Sequence, residues 1–227
     1  MTETYTLKKV KKIYRQGAIE VPALRGINLE ISPREFTVIS GPSGSGKSTL
    51  LNIMGALDVP TEGSISLEGK EFSGLSKGAL SDLRRDRIGF VFQAYNLIPV
   101  LSAFENAEMV MSLQGVSKKE RAEKVMHILE EVGLKDLAHR RPNQLSGGQQ
   151  QRVAIARAIA SDPAVILADE PTANVDSKTA AMLLDVMERL NREKGTTFVF
   201  STHDPHVMER AKRSISLVDG CIENDVA

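Results

Sequence analysis

One short stretch, Gly41-Pro42-Ser43-Gly44-Ser45-Gly46-Lys47-Ser48, constrains the fold of this chain more than any other. It fits the pattern G-x-x-x-x-G-K-[ST]. The β-rich run Phe36-Thr37-Val38-Ile39-Ser40 precedes it, and a helical pattern over 48–56 follows. Strand, glycine-rich turn and helix in that order put a helix N-terminus at the end of a strand. Glycines there admit backbone dihedrals that aim successive N–H groups at one anion. The helix start adds partial positive charge. Lys47 offers a mobile ammonium to β- and γ-phosphates, Ser48 a hydroxyl to Mg2+, and Thr49 a further phosphate contact. The expected ligand is a nucleoside triphosphate with Mg2+. No guanine-reading N-K-x-D is present, which favours ATP over GTP.

The rest of the chain suits that reading. Ala164-Val165-Ile166-Leu167-Ala168 and Thr197-Phe198-Val199-Phe200-Ser201 are further unbroken apolar runs ended by polar turn residues. Such runs are typical of parallel strands buried on both faces, and their alternation with helices predicts an α/β fold. Ser117-Lys118-Lys119-Glu120 is a capping box ahead of Ala122, Val125, Met126, Leu129 and Val132, with Gly133 as the stop. Leu183, Met187 and Leu190 mark another amphipathic helix that ends near Gly195. Residues 94–160 show helical patterns and no strand, and residues 5–70 look antiparallel. The expected architecture is a single domain over 1–227. It has a mainly parallel core over about 1–93 and 161–227, an antiparallel β subdomain, and an inserted helical subdomain over about 94–160.

Charge and composition narrow the function classes. Lys+Arg and Asp+Glu are both 29, so the formal net charge is 0, which argues against a dedicated nucleic-acid binder. No apolar stretch approaches the roughly 18 residues of a membrane span. The start, MTETYTLKKV, has no apolar run of a signal peptide. The single Cys221 cannot form an intrachain disulfide, which suits a reducing compartment. A cytoplasmic protein is expected.

Two more features carry chemistry. Asp169 and Glu170 end an apolar strand. The first carboxylate is placed to hold Mg2+ through its water shell, and the second to polarise an attacking water. Leu145-Ser146-Gly147-Gly148-Gln149 precedes the Val-, Ile- and Ala-rich helical segment 150–161, creating a second helix N-terminus able to grip a phosphate.

With that five-residue signature the chain resembles the ATP-binding-cassette (ABC) ATPases over nearly its whole length. The resemblance implies several roles. Tyr14 stacks on adenine. Gln93, in Gly89-Phe90-Val91-Phe92-Gln93, binds Mg2+ and senses a membrane subunit. Asn174, Val175 and Asp176 form the dimer-contact loop, where Ala173 and Val175 replace the commoner Gly and Leu. His203 contacts the γ-phosphate. Glu170 is the main catalytic carboxylate, with Lys47, Gln93 and His203 assisting. Ser48, Gln93 and Asp169 are the metal-side residues. A zinc site from His203 and His206 finds no further support in the sequence.

Ala23-Leu24-Arg25-Gly26, Met54-Gly55-Ala56-Leu57-Asp58 and Asn96-Leu97-Ile98-Pro99 draw the chain toward the lipoprotein-releasing (LolD-like) and macrolide-export (MacB-like) members. Pro33-Arg34-Glu35 departs from the usual Gly-Glu turn. Membership further implies a head-to-tail homodimer in which Ser146, Gly147, Gly148 and Gln149 of one copy reach the nucleotide held by residues 41–49 of the other. It also implies integral membrane permease subunits, contacted near 93–111 through residues such as Phe104, Met109 and Met111, at the inner face of the membrane. The competing readings are a soluble ABC ATPase acting on DNA or ribosomes, and an ABC ATPase driving a mechanical or signalling membrane complex. One phosphate loop, one signature and no long heptad run disfavour the first.

Overall fold

The computed structural model describes residues 2–17, 19–173 and 175–227. Two sheets share the chain. The first is antiparallel, with strand order β2-β1-β4-β5, built from β1 (Tyr5–Gln16), β2 (Ile19–Ile31), β4 (Glu62–Leu67) and β5 (Lys70–Glu71). The second has six strands in the order β10-β9-β3-β8-β7-β6. These are β3 (Phe36–Ser40), β6 (Ile88–Val91), β7 (Val165–Asp169), β8 (Thr197–Ser201), β9 (Arg213–Val218) and β10 (Cys221–Val226). All its neighbours pair in parallel except the edge hairpin β9–β10. The α/β architecture expected from the sequence, a mainly parallel sheet beside an antiparallel one, is the one found.

The three apolar runs read as buried strands are β3, β7 and β8, and their side chains alternate between two cores because successive residues of a strand point to opposite faces. Phe36, Val38, Ile166, Ala168, Phe198 and Phe200 join one cluster, while Ile39, Val165, Leu167 and Val199 join the other. The second cluster lies between the sheets and encloses helix α1 (Lys47–Met54), whose Leu50, Leu51, Ile53 and Met54 are all buried. Tyr5 is fully buried there, and its hydroxyl donates to the Met54 carbonyl at 2.7 Å. That bond satisfies one of the carbonyls every helix leaves unpaired at its C-terminus. Burial pushes the Tyr5 phenol far above its ordinary pKa, so it remains a donor.

The other face carries α6 (Ser177–Lys194) and a group of helices. After α2 (Lys77–Arg87), every described element between β6 and β7 is helical: α3 (Ala103–Leu113), α4 (Lys118–Glu131), two short 3-10 turns and α5 (Gly147–Ala160). Ser117 caps α4, its Oγ accepting the Glu120 N–H at 3.3 Å. Gly195 ends α6 at φ 72°. The short α7 (Pro205–Arg210) follows β8. The helix expected over 48–56 stops at Met54, because Gly55 caps it and Ala56 turns to φ 53°.

Candidate active site

Parallel pairing sets the site. Register aligns Ile39 of β3 with Ser201 of β8, and Asp169 of β7 with the same Ser201. The C-terminal ends of three neighbouring strands are therefore level, the usual place for ligands in open α/β sheets. The loops leaving those ends enclose a cleft of about 590 Å³. Gly41, Pro42, Ser43, Gly44, Gly46, Lys47, Ser48 and Thr49 line one side, and Gln93, Asp169, Glu170, Ser201 and His203 the other.

Gly46 sits at φ 104° as the N-cap of α1, so the free N–H groups of the first helical turn open toward the cleft. Lys47 arches back over its own loop, its Nζ donating to the carbonyls of Gly41 and Pro42 at 2.7 and 2.9 Å. Ser45 does not line the cleft. It is buried, and its carbonyl accepts the Gly220 N–H at 3.0 Å, fastening the loop to the β9–β10 turn.

Glu170 stands at φ 47°, a left-handed conformation uncommon for a side-chain-bearing residue. Its amide donates to the Ser201 carbonyl at 2.8 Å, which holds that turn. One carboxylate oxygen accepts the Thr202 hydroxyl at 2.9 Å, and the other lies 2.6 Å from Nδ1 of His203. Thr172 donates to Asp204 at 2.6 Å, and Gln151 of α5 donates to the Pro171 carbonyl at 2.8 Å. The acidic turn is thus braced from β8 and from α5. Sequence reasoning missed Thr202, Asp204 and Gln151, since nothing local marks them as partners of a residue 20 to 32 positions away.

Ser48, Gln93 and Asp169 offer a hydroxyl, an amide and a carboxylate to the cleft. This is an all-oxygen donor set with a single formal charge. Among the described residues no group of three or more His, Cys, Asp or Glu could cage a metal ion. Mg2+ is commonly held by one or two protein oxygens plus substrate phosphates, so these residues fit it.

Tyr14 does not line the cleft. Its hydroxyl donates to Asp58 at 3.0 Å, and the Lys12 ammonium lies 5.0 Å from its ring centroid. Burial raises the Tyr14 pKa, with Asp58 adding to the effect against a hydrogen bond from Thr49. Burial also acts to raise Asp58, yet hydrogen bonds from Lys12, the Val59 amide and Tyr14 bring it below its ordinary value. The ring is thereby fixed close to Thr49, at the rim of the phosphate loop.

The signature lies elsewhere. None of Ser146, Gly147, Gly148 and Gln149 lines the cleft. Ser146 is the N-cap of α5, its Oγ accepting the Gln149 N–H at 3.3 Å while Gln149 Oε1 accepts the Ser146 N–H at 2.8 Å. The motif is therefore also a capping box, legible as S-x-x-Q but missed beside its phosphate-gripping role. Val175 packs 3.6 Å from where a Cβ on Gly148 would stand. Asn174 lies outside the described residues.

Comparison with known proteins decides the family. The ABC transporter family model matches residues 24–173. The chain belongs to the ABC transporter family. The lipoprotein-releasing system ATP-binding protein LolD of Anaeromyxobacter dehalogenans is 45% identical over 99% of this chain and 94% of its own length. The macrolide export ATP-binding/permease protein MacB of Syntrophobacter fumaroxidans is 47% identical over 96% of this chain, which spans only 31% of that longer protein. A solved dimeric structure of the ATP-binding cassette MJ0796, in a post-hydrolysis state bound to ADP and Pi, superimposes with a TM-score of 0.93 at 46% identity, covering 97% of each chain. This ABC cassette is an ATP-binding ATPase subunit of an ABC transporter, as the sequence implied. No helix of its described residues is long and apolar enough to cross a membrane.

A second depression on the ABC cassette is apolar. A groove of about 320 Å³ runs between the α2–β6 segment and α3, with Leu57, Phe90, Phe92, Met109 and Leu113 among its walls. Of the three residues singled out from sequence, Met109 lines it. Met111 is 2% exposed and belongs to the core, and Phe104 packs against that core. Leu57 comes from far along the chain and Phe90 from the strand β6 just before it, so the local pattern over 94–111 could not announce them.

Proposed function

We propose that two copies of this cassette close head-to-tail on ATP and Mg2+, and that the cycle drives integral membrane subunits to extract or export a substrate of the lipoprotein-release or macrolide/peptide class. One observation carries the reading. Two helix N-termini flanked by glycine start at Lys47 and just after Ser146, and of these two only the first lines the cleft. A two-fold pair supplies the missing half to each site, because the interface repeats itself. Each nucleotide is then held by residues 41–44 and 46–49 of one copy and by the partner subunit's Ser146, Gly147, Gly148 and Gln149. ATP stabilises the closed pair by mass action, since it binds the closed form best.

Within the site, Glu170 takes a proton from the attacking water, and Thr202 and His203 hold its carboxylate. Bound Mg2+ would neutralise phosphate charge and would be held by Ser48, Gln93 and Asp169. Lys47 exchanges its two carbonyl partners for phosphate oxygens. His203, at 81% side-chain exposure, is free to swing to the γ-phosphate. Losing that phosphate charge on hydrolysis weakens the bridge between copies, and product release reopens the pair. The membrane subunits are met at the apolar groove beside Gln93, which locates the cassette at the cytoplasmic face of the membrane. The 45% identity to a LolD along almost its full length and 47% to a MacB support the substrate class.

Two tests follow. A photo-crosslinker at Leu113, 65% exposed on the groove wall, is expected to capture an integral membrane protein in intact native membranes. Finding only soluble adducts, or none, overturns the membrane coupling. For the adenine contact, Tyr14→Ala should weaken ATP and ADP binding at least about fivefold, while Tyr14→Phe keeps it. An aromatic platform contributes roughly 1–3 kcal/mol per stacked base. Equal affinity for all three proteins, measured by titration calorimetry, would remove Tyr14 from the site.

A further inference from the structure

Gln93 ends the strand-side wall of the cleft, and the chain then crosses to the helices. The crossing is unusual. Tyr95 and Asn96 follow one another at φ 59° and 50°, a left-handed pair without glycine. Such a conformation persists only where the surroundings hold it. Tight local bonds, from the Tyr95 amide to Phe92 O at 3.1 Å and from the Asn96 amide to Ala94 O at 2.6 Å, fold the turn. What fastens it from outside is Arg157 of α5. Its two terminal nitrogens donate to the carbonyls of Asn96 at 2.5 Å and Tyr95 at 2.9 Å.

Arg157 is only 8% exposed, and among the described residues no carboxylate pairs with it. A buried guanidinium without a counter-ion is costly to keep. Its fork geometry suits two adjacent carbonyls as a lysine's single point charge does not. Further along, a second buried side chain secures the crossing to the helices. Asn106 of α3, fully buried, accepts the Ile98 N–H at 2.8 Å and donates to the carbonyls of Ile98, Leu101 and Ser102 at 3.2, 3.1 and 2.9 Å. From Tyr95 to Ser102 the backbone is therefore bound to α5 and α3. Only Phe92 to Ala94 lie between those ties and β6. Arg157 and Asn96 also line the apolar groove.

We propose that Arg157 is a positioning residue for Gln93: by clamping Tyr95 and Asn96 to the signature helix α5, it makes any rotation of the helices displace Gln93 directly. Gln93 sits at the joint between a strand fixed in the sheet and a turn fixed to α5. The helix that presents Ser146 to a partner copy thus also sets where Gln93 stands in its own cleft. The claim that this matters for turnover rests on the assignment of Gln93 to the reacting side of the site; the clamp itself does not.

The test compares Arg157→Met, Arg157→Lys, Gln93→Ala and the double variant Arg157→Met/Gln93→Ala. Amide exchange of the full chain reads the clamp without any nucleotide. Arg157→Met should speed exchange over 93–96 by about tenfold or more, with α5 and the sheet unchanged, as expected when one local opening is eased. Steady-state turnover reads the consequence. In Arg157→Met, kcat should fall about tenfold with KM for ATP within about twofold, and the double variant should lose no more than about twofold beyond Gln93→Ala alone, because effects passing through one residue do not multiply. Arg157→Lys, keeping the charge and one bond, should lie between wild type and Arg157→Met in both readings. If Arg157→Met does not fold, Arg157→Lys carries the same comparisons. Unchanged exchange at 93–96 overturns the clamp, and multiplicative losses of kcat overturn the positioning role. Normal turnover in Gln93→Ala would instead remove Gln93 from the chemistry, and the exchange measurement still decides the clamp.

Discussion

Glu170→Gln is expected to cut ATP turnover by about 10²–10⁴-fold, the usual contribution of a general base, while ATP affinity stays within about threefold of wild type, since binding rests on the phosphate loop. The amide keeps the shape of the carboxylate and can still accept the Thr202 hydroxyl that now lies 2.9 Å away. What it loses is the charge that takes a proton from water. Blocking that step should also expose the dimer. With MgATP, sedimentation should show the Glu170→Gln protein as a pair, and with ADP as single copies. Lys47→Ala is the contrast. Its ammonium faces the loop carbonyls of Gly41 and Pro42, where phosphate oxygens belong, so its removal should weaken nucleotide binding itself. Normal turnover in a folded Glu170→Gln protein would refute the base. A hydrolysis-blocked, ATP-loaded protein that stays a single copy at every concentration would refute the composite site.

The geometry adds one refinement. Glu170 is held by its amide, by Thr202 and by His203, so it is pre-oriented before any ligand arrives. Oriented catalytic groups avoid reorganisation during the reaction. The 2.6 Å contact between Glu170 and Nδ1 of His203 must break or lengthen if the histidine is to meet the γ-phosphate. On the proposed roles, the two residues would trade partners as the site closes, which would link arrival of the triphosphate to release of the base.

How much of this was legible in the sequence follows the range of the interactions. The phosphate loop, the acidic strand end and the buried strands could be read because each is a continuous run whose residue types carry their own mechanism: glycine for dihedrals, lysine for charge, β-branched and aromatic residues for a sheet buried on both faces. The α4 cap at Ser117 was legible for the same reason. Tyr14 was placed only by resemblance, and its anchoring to Asp58 depends on β1 meeting the bend that follows α1, 44 positions away. The groove wall brings Leu57 beside Phe90 only once the end of α1 meets β6, and the ties from Gln151 and Arg157 into the acidic and glutamine turns arise only when α5 is laid against the sheet. Periodicity marked Gln151 and Arg157 merely as helical residues. Their polar ends are buried at 1% and 8% exposure, which a local pattern cannot reveal.

Gly41→Ala should abolish nucleotide binding in the accessible range, a loss of at least about 100-fold, and lower folding stability by roughly 3 kcal/mol or more, the top of the usual range for a single substitution. Gly41 has φ 147°, outside the ordinary L-residue regions, and an added Cβ would stand 2.0 Å from the Leu217 carbonyl oxygen. That oxygen is backbone on β9, which pairs with β3 through Ile39–Ile215 and Ser40–Ser216, so it cannot yield without opening the sheet edge beside the loop. Relief must come from the loop, which carries both carbonyls that hold Lys47. Gly44→Ala separates space from conformation. Gly44 also has positive φ, 80°, but nothing lies within 4 Å of its would-be Cβ. Its cost should be only the conformational one, about 1–2 kcal/mol, with ATP affinity reduced several-fold at most. Denaturant midpoints and calorimetry on both variants decide it. If the two alanines behave alike, the close approach of the loop to Leu217 is not what shapes the phosphate cradle, and positive φ alone accounts for its glycines.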